Sequence, residues 1–500
     1  MFYNVHSAVL NGIEAIIVNV EIDISKGIPV FEMTGSLATQ VKEARERVRI
    51  SIKNSGFSIL PGRVTVNISP ADIKKAGTLL DLPIAIGMLG TLGFINHNMI
   101  KDILVVGELS LDGHVGGVNG ILPVTIKAKE KGYKRIIIPY SNMREASYVN
   151  GIEVIPVKTL RDAIDYLTGR LDIKPVHSDY IADDTVCDDD MIVGQLAAKR
   201  ATLIAACGMH NIIYTGPPGV GKTMLARLLP QIMAPMTQKE SEEISGVYSV
   251  CGLLDSSEGL LRKRPFRTPY HKITVTGLLG GGSNVTPGEV SLSTKGVLFL
   301  DELPLYSSQV LNALRVPLED KKIHILRKTV NYTFPADFIL AGAMNPCACG
   351  FYPDMKKCTC SPMDIKRYFG KLEKPFLDRI DISVEVPKVL INNNKETLDI
   401  HTMKSMILEG NKRQLERFKY ESIAYNSQMD NALIEKYANL TKSAKDILDN
   451  AYERMELSMR AYNKIIKVGR TIADVCDSEK IMDEHIIEAI SLRVQGQIGG

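Results

Sequence analysis

The stretch "HNIIYTGPPGVGKTMLARLL", residues 210–229, constrains the chain more than any other. An apolar strand-like run enters a turn containing three glycines and leaves as a helix-forming run. The loop Gly216, Pro217, Pro218, Gly219, Val220, Gly221, followed by Lys222 and Thr223, fits the P-loop pattern in spacing and in its strand-then-helix context. The glycines let the backbone turn tightly, so that its N–H groups and the next helix N-terminus face phosphate oxygens. Lys222 is then placed to hold the β- and γ-phosphates, and Thr223 to ligate Mg²⁺. A plain Gly-Pro turn is the alternative, and the correct flanks on both sides argue against it.

A P-loop needs an apolar strand ending in an acid, and "GVLFLDE" at residues 296–302 supplies one. Asp301 is expected to reach Mg²⁺ and Glu302 to polarise an attacking water as a general base. A further apolar run, "FILAGAMN", delivers Asn345 to the same expected sheet edge, where an amide orients water or simply ends the strand. Arg379 in "FLDRID" and Arg460 in "LSMR" are candidates for stabilising γ-phosphate charge in the transition state. Taken singly, each is also what a surface ion pair looks like.

Five hundred residues exceed what one core supports, and three domains are expected. Residues 1–170 alternate strand-like runs ("AIIVNVEI", "RVTVNISP", "RIIIPYS") with helical stretches, the pattern of an α/β domain. Residues 171–190 carry seven aspartates and read as a solvated acidic linker. Strand–helix alternation resumes over 191–390, as for a parallel sheet, and 391–500 read as a helical domain. The most apolar run, residues 79–95, is interrupted by Asp81 and Pro83, so a buried core segment is expected and no membrane role. No export signal is evident, which points to the cytoplasm. A net charge of +3 leaves nucleic-acid binding to local patches.

Cys187, Cys207, Cys251 and Cys476 are scattered and read as ordinary thiols, whereas Cys347, Cys349, Cys358 and Cys360 fall within fourteen residues. Two C-x-C pairs suit a tetrahedral structural Zn²⁺ site, with free thiols as the alternative. Bound zinc would staple the loop that leaves Asn345.

Three stretches, "DMIVGQLAAKRATLIAACGMHNIIYTGPPGVGKT", "RPFRTPYHKITVTGLLGGGSNVTPGEVSLSTKGVLFLDELP" and "AGAMNPCACG", resemble the ComM/YifB group of Mg-chelatase-like AAA+ ATPases. The resemblance runs essentially the full length. It implies Walker A at 216–223, Walker B at Asp301 and Glu302, sensor 1 at Asn345, an arginine finger at Arg379 and sensor 2 at Arg460. ATP and Mg²⁺ follow as cofactors, and a homo-hexameric ring as the working state. It further implies an AAA+ α/β core at 191–390, a helical lid at 391–500 and, at 1–170, an α+β domain like Lon protease and ribosomal protein S5 domain 2.

In the last of these, the places expected for the Lon nucleophile and lysine fall near Leu79 and Leu122, with Thr78 and Lys127 offset, so proteolysis is not expected. Residues 261–284 resemble the helix-2 insertion of this class, and 320–335 its hairpin before sensor 1. They concentrate Arg262, Lys263, Arg264, Arg267 and Lys272, and Lys321, Lys322, Arg327 and Lys328, with Tyr270 and Tyr332 nearby. Such groups suit a sequence-independent grip on DNA, or are a solvated charged hairpin. The resemblance implies a DNA motor that drives branch migration during uptake of foreign DNA, with recombination proteins as partners. A magnesium-chelatase motor subunit is the alternative, and an ATP-dependent protease a third.

Overall fold

The interrupted apolar run becomes the helix Asp81–Thr91, every residue of which is buried. Its first residue is tolerated because Arg47 grips the Asp81 carboxylate with two N–H groups, at 2.7 and 3.0 Å. The computed structural model describes residues 2–59, 61–183, 192, 194–255, 257–282, 284–327, 330–388 and 398–494. Cys187, Lys328, most of the acidic run and the expected boundary at 390 lie outside them. Among the described residues no helix is long and apolar enough to cross a membrane.

The chain divides into two compact units: Met1–Ile181 with Thr237–Arg262, and Ala182–Met236 with Lys263–Gly500. The first unit is a seven-stranded mixed sheet. From one edge its strands are Val30–Thr34, Arg63–Ser69, Glu14–Ser25, Phe2–Asn11, Ile103–Val105, Arg135–Pro139 and Glu153–Val157. Phe2–Asn11 and Glu14–Ser25 form an antiparallel hairpin, and the last three strands are parallel. The helix Thr39–Asn54 buries Val41, Ala44, Val48 and Ile52, the one-sided spacing of an amphipathic helix.

Thr237–Arg262, which the sequence places within the 191–390 core, packs instead with this first unit. The cause is a set of specific contacts around the helix Gln238–Cys251. Ser249 O accepts from the Gly120 N–H at 3.1 Å, and the Ser249 hydroxyl meets the buried Glu145 carboxylate at 2.6 Å. Leu260 is fully buried in the same core as Ile121 and Leu122. Part of the expected linker is also docked: the Val176 N–H donates to Val154 O, and Ser178 meets Ser147.

The second unit is built on five parallel strands in the order Phe266–Arg267, Val297–Leu300, Ile339–Met344, Ile212–Thr215 and Ile382–Glu385. The three central strands are buried at every residue, as expected where helices cover both faces of a parallel sheet. The helices Ile400–Arg417, Lys442–Arg454, Met459–Val475 and Asp483–Val494 share one hydrophobic core with this sheet, so the expected lid is continuous with it.

A buried polar cluster lies where the sheet meets the helix Met459–Val475. Lys464 donates to Asp381 at 2.6 Å, and His210, fully buried, is hydrogen-bonded to Thr471 at 2.8 Å. Burial would raise the Asp381 carboxyl, but Lys464 and its other partners outweigh this and hold it at about 2. His210 Nδ1 is 3.9 Å from Asp381, too far for a hydrogen bond, and burial lowers the imidazole to about 4. The unfolded chain therefore binds more protons at this site between pH 6.5 and about 4, and stability falls as pH drops through that window. His210→Gln should flatten the fall in melting temperature over this range by the equivalent of about 3 kcal/mol. An unchanged pH profile in thermal denaturation would contradict a neutral buried histidine.

Candidate active site

The strand order brings three polar chain segments to one edge. The strand Ile339–Met344 lies between Ile212–Thr215 and Val297–Leu300, so Asn345 emerges between the P-loop and Asp301. Gly219 and Gly221 have φ of 78° and 95°, left-handed values that favour glycine. Gly216 is fixed by close approach: a Cβ there would lie 2.3 Å from Val386 O. The helix Lys222–Ile232 starts directly from Gly221.

Lys222 is 9% exposed, and its Nζ donates to Gly216 O at 2.6 Å, Pro217 O at 2.8 Å and Asn345 Oδ1 at 3.0 Å. Burial lowers its amine below the ordinary value, and the charges of Asp301 and Glu302 oppose that shift. Thr223 Oγ1 donates to Asp301 Oδ2 at 3.3 Å, so the hydroxyl and carboxylate expected to share Mg²⁺ are already neighbours. Two adjacent hard oxygen donors fit that ion. Glu302 holds a left-handed φ of 52°, and its N–H donates to Asp301 Oδ1 at 2.9 Å. A non-glycine residue in that region is strained, and such strain concentrates at functional sites.

The two arginines stand apart from this group. Arg379, 7% exposed, pairs with Glu319 at 2.9 Å, and Arg460, on the helix Met459–Val475, meets the same carboxylate oxygen at 3.4 Å. The structure thus assembles Lys222, Thr223, Asp301, Glu302 and Asn345, and joins Arg379 to Arg460 through Glu319. Sequence reasoning missed Glu319, which carries no motif signal in "RVPLED". It also missed Asn211, whose side chain ties Arg379 O to the Leu340 N–H while its own N–H meets Asp381.

The expected basic patch is smaller than the sequence suggested. Arg264 is buried, donating to Ala234 O and Lys295 O, and Arg267 forms a two-pronged pair with Glu289. Arg262 donates to the Tyr148 hydroxyl, and Lys321 pairs with Asp337. Lys263, Lys272 and Tyr270 are exposed, as are Lys322 and Arg327. The last two lie on an antiparallel hairpin of Lys322–Arg327 with Val330–Pro335, which also carries Tyr332 and the exposed Leu326.

The four clustered cysteines converge. All four sulfurs lie within 4.8 Å of one another, and Cys347 is fully buried. The Phe351 N–H is the first cause that pulls the Cys349 thiol down to about 6. In the first unit, Leu79 and Leu122 are buried, Thr78 donates to Glu108 at 2.7 Å and Lys127 to Glu130 at 2.8 Å. No nucleophile–base pair joins Thr78 to Lys127.

Family comparisons match residues 188–394 to "Magnesium chelatase, subunit ChlI", 399–493 to its C-terminal part, and 20–142 to "Subunit ChlI of Mg-chelatase". Competence protein ComM of Haemophilus influenzae is 38% identical over 502 residues, covering 98% of this chain and 97% of that protein. The uncharacterized protein YifB of Escherichia coli K12 is 35% identical over 98% of this chain and 96% of its own length. Lon protease 2 of Bacillus subtilis is 31% identical over 139 residues, 26% of this chain and 25% of that protein.

Lys222→Ala should reduce nucleotide turnover by about 10²-fold or more, since it removes a preorganised cation. Glu302→Gln should retain nucleotide binding while turnover collapses, leaving ATP trapped. Steady-state hydrolysis and filter-retained nucleotide distinguish the two, and normal turnover in either variant refutes the assignment.

Proposed function

The chain belongs to the ComM/YifB group of Mg-chelatase-like AAA+ ATPases, and from that premise we propose a ring motor that hydrolyses ATP to move DNA, driving branch migration or strand separation during recombination or DNA uptake. The observation that carries the ATPase part is the convergence of Lys222, Thr223, Asp301, Glu302 and Asn345 at one sheet edge. Lys222 and the P-loop N–H groups bind the phosphates, Asn345 orients the attacking water, and Glu302 takes its proton. Thr223 and Asp301 would hold Mg²⁺, which neutralises charge on the β- and γ-phosphates when bound.

Arg379 and Arg460, held on Glu319, act on the nucleotide of a neighbouring copy, so the working state is a homo-hexamer and a lone chain hydrolyses ATP poorly. DNA as substrate is supported by the exposed Lys263, Lys272, Lys322 and Arg327 with Tyr270 and Tyr332, and by the word competence in the name of the Haemophilus relative. Recombination proteins are the partners this reading calls for. The free cysteines suit a reducing cytoplasm, and Cys347, Cys349, Cys358 and Cys360 hold a structural Zn²⁺. Residues 1–170 act as a Lon-like domain without proteolysis, because Thr78 and Lys127 are engaged with separate carboxylates.

A magnesium-chelatase-type motor is the second reading, favoured by the descriptions of the matching families. The N-terminal domain does not discriminate, since residues 20–142 themselves match a model carrying the chelatase subunit's name. Hydrolysis measured with and without single-stranded and branched DNA decides between them. Stimulation of about tenfold by branched DNA, lost in Glu302→Gln, is expected of an activating ligand. No binding and no stimulation sinks the DNA reading.

A further inference from the structure

The loop between the strand Ile339–Met344 and the helix Pro362–Phe369 has a shape that its cysteines alone do not explain. The Cys347 and Cys349 sulfurs are 3.3 Å apart, and Cys358 lies 3.8 and 3.6 Å from them. A disulfide needs about 2.05 Å, whereas zinc with sulfurs at about 2.3 Å in a tetrahedron spaces them about 3.8 Å apart. The backbone is folded to match: the Gly350 N–H donates to Cys347 O at 3.0 Å, and the Cys358 N–H to Asp354 O at 2.8 Å.

Between the two cysteine pairs the loop meets the P-loop. Gly350 has a left-handed φ of 83°, and a Cβ there would lie 2.7 Å from Pro218 Cδ and 3.9 Å from Asn345 Cγ. The helix that follows is secured by a capping box of Ser361 and Asp364. From that helix the Tyr368 hydroxyl comes close to the Asn345 backbone N–H. Asn345 in turn accepts from Lys222. The cysteine loop therefore reaches the nucleotide site from two sides, through Pro218 and through Asn345.

We infer that this loop, closed by zinc on Cys347, Cys349, Cys358 and Cys360, is a wall of the nucleotide site that positions Pro218 and Asn345 for ATP. The inference rests on the zinc and ATPase readings above and adds a role to the metal. Zinc fixes how far Gly350 stands from Pro218, so it sets the gap into which the P-loop can move. Gly350 and the four cysteines are positioning residues, since none of them is placed to touch a phosphate.

The test uses the full-length chain, with zinc measured by mass spectrometry and binding of a fluorescent ATP analogue by titration at constant free Mg²⁺. Wild type should carry about one zinc per chain, as one four-cysteine site requires. Gly350→Ala should keep that zinc and a cooperative unfolding transition, lowered slightly by the left-handed φ, yet weaken nucleotide binding by about tenfold, because the added methyl displaces Pro218. Should Gly350→Ala fail to fold, wild type stripped by a zinc-selective chelator should weaken to the same degree and recover on zinc addition. Less than about a tenth of an equivalent of zinc in wild type overturns both the metal reading and this inference. Zinc retained, with nucleotide affinity unmoved by Gly350→Ala or by stripping, overturns the inference alone.

Discussion

A buried cation without a buried anion organises the site. The Lys222 amine is enclosed by two carbonyl oxygens and an amide oxygen, all neutral, while the nearest carboxylates act on it through space. Such an arrangement costs desolvation and is tolerated where strand ends fix the acceptors independently of one another. The parallel sheet does this, because Gly216 and Asn345 follow adjacent strands whose every residue is buried. On the ATPase reading, a phosphate entering that setting would meet a positive charge already stripped of water, and little reorganisation would be required at the moment of reaction.

The same rigidity extends to the arginines. Asn211 precedes the P-loop strand and binds both ends of the Arg379–Asp381 segment, and Lys464 and Arg493 bind Asp381 and Ile380 from the helical region. Arg460 lies one turn before Lys464 on one helix. Displacement of that helix is therefore felt at Arg379 through two attachments, the Asp381–Lys464 pair and the shared Glu319. Buried ion pairs contribute little net stability, and what the Lys464–Asp381 pair adds is a single point of attachment between helix and sheet.

Much of the site was legible in the sequence because apolar runs ending in a polar residue encode both a strand and the side chain it delivers. Leu300 to Asp301 and Met344 to Asn345 follow that rule, whereas Lys222 was legible from the glycine spacing of the loop that follows Thr215. Partnership was not legible. Arg264 and Arg267 looked like free cations in "RKRPFR", but one is buried against carbonyls and the other gripped by Glu289, both set by distant segments. Likewise, nothing in the amphipathic pattern of Gln238–Cys251 told which unit its buried face would join, since that choice rests on Gly120 and Glu145, more than ninety residues earlier. Gly350 had no motif meaning until its distance to Pro218 was known.

The ring reading turns on how firmly Glu319 keeps its two arginines. The side chains of Arg460 and Glu319 are 62% and 44% exposed, against 8% for the Arg379 side chain, so the Arg460 contact is a surface pair of about 0–1 kcal/mol and readily broken. On the ring reading, a multiply charged phosphate from a neighbouring copy would outcompete a single carboxylate for that side chain at small cost. Arg379 is different, being held also by Pro375 O and Arg315 O, so it is preorganised and would move with its whole segment. One loose arginine and one rigid arginine share a common acid, so on the ring reading arrival of nucleotide would free the first and would reorient the second only if the helix and the Arg379–Asp381 segment shift together.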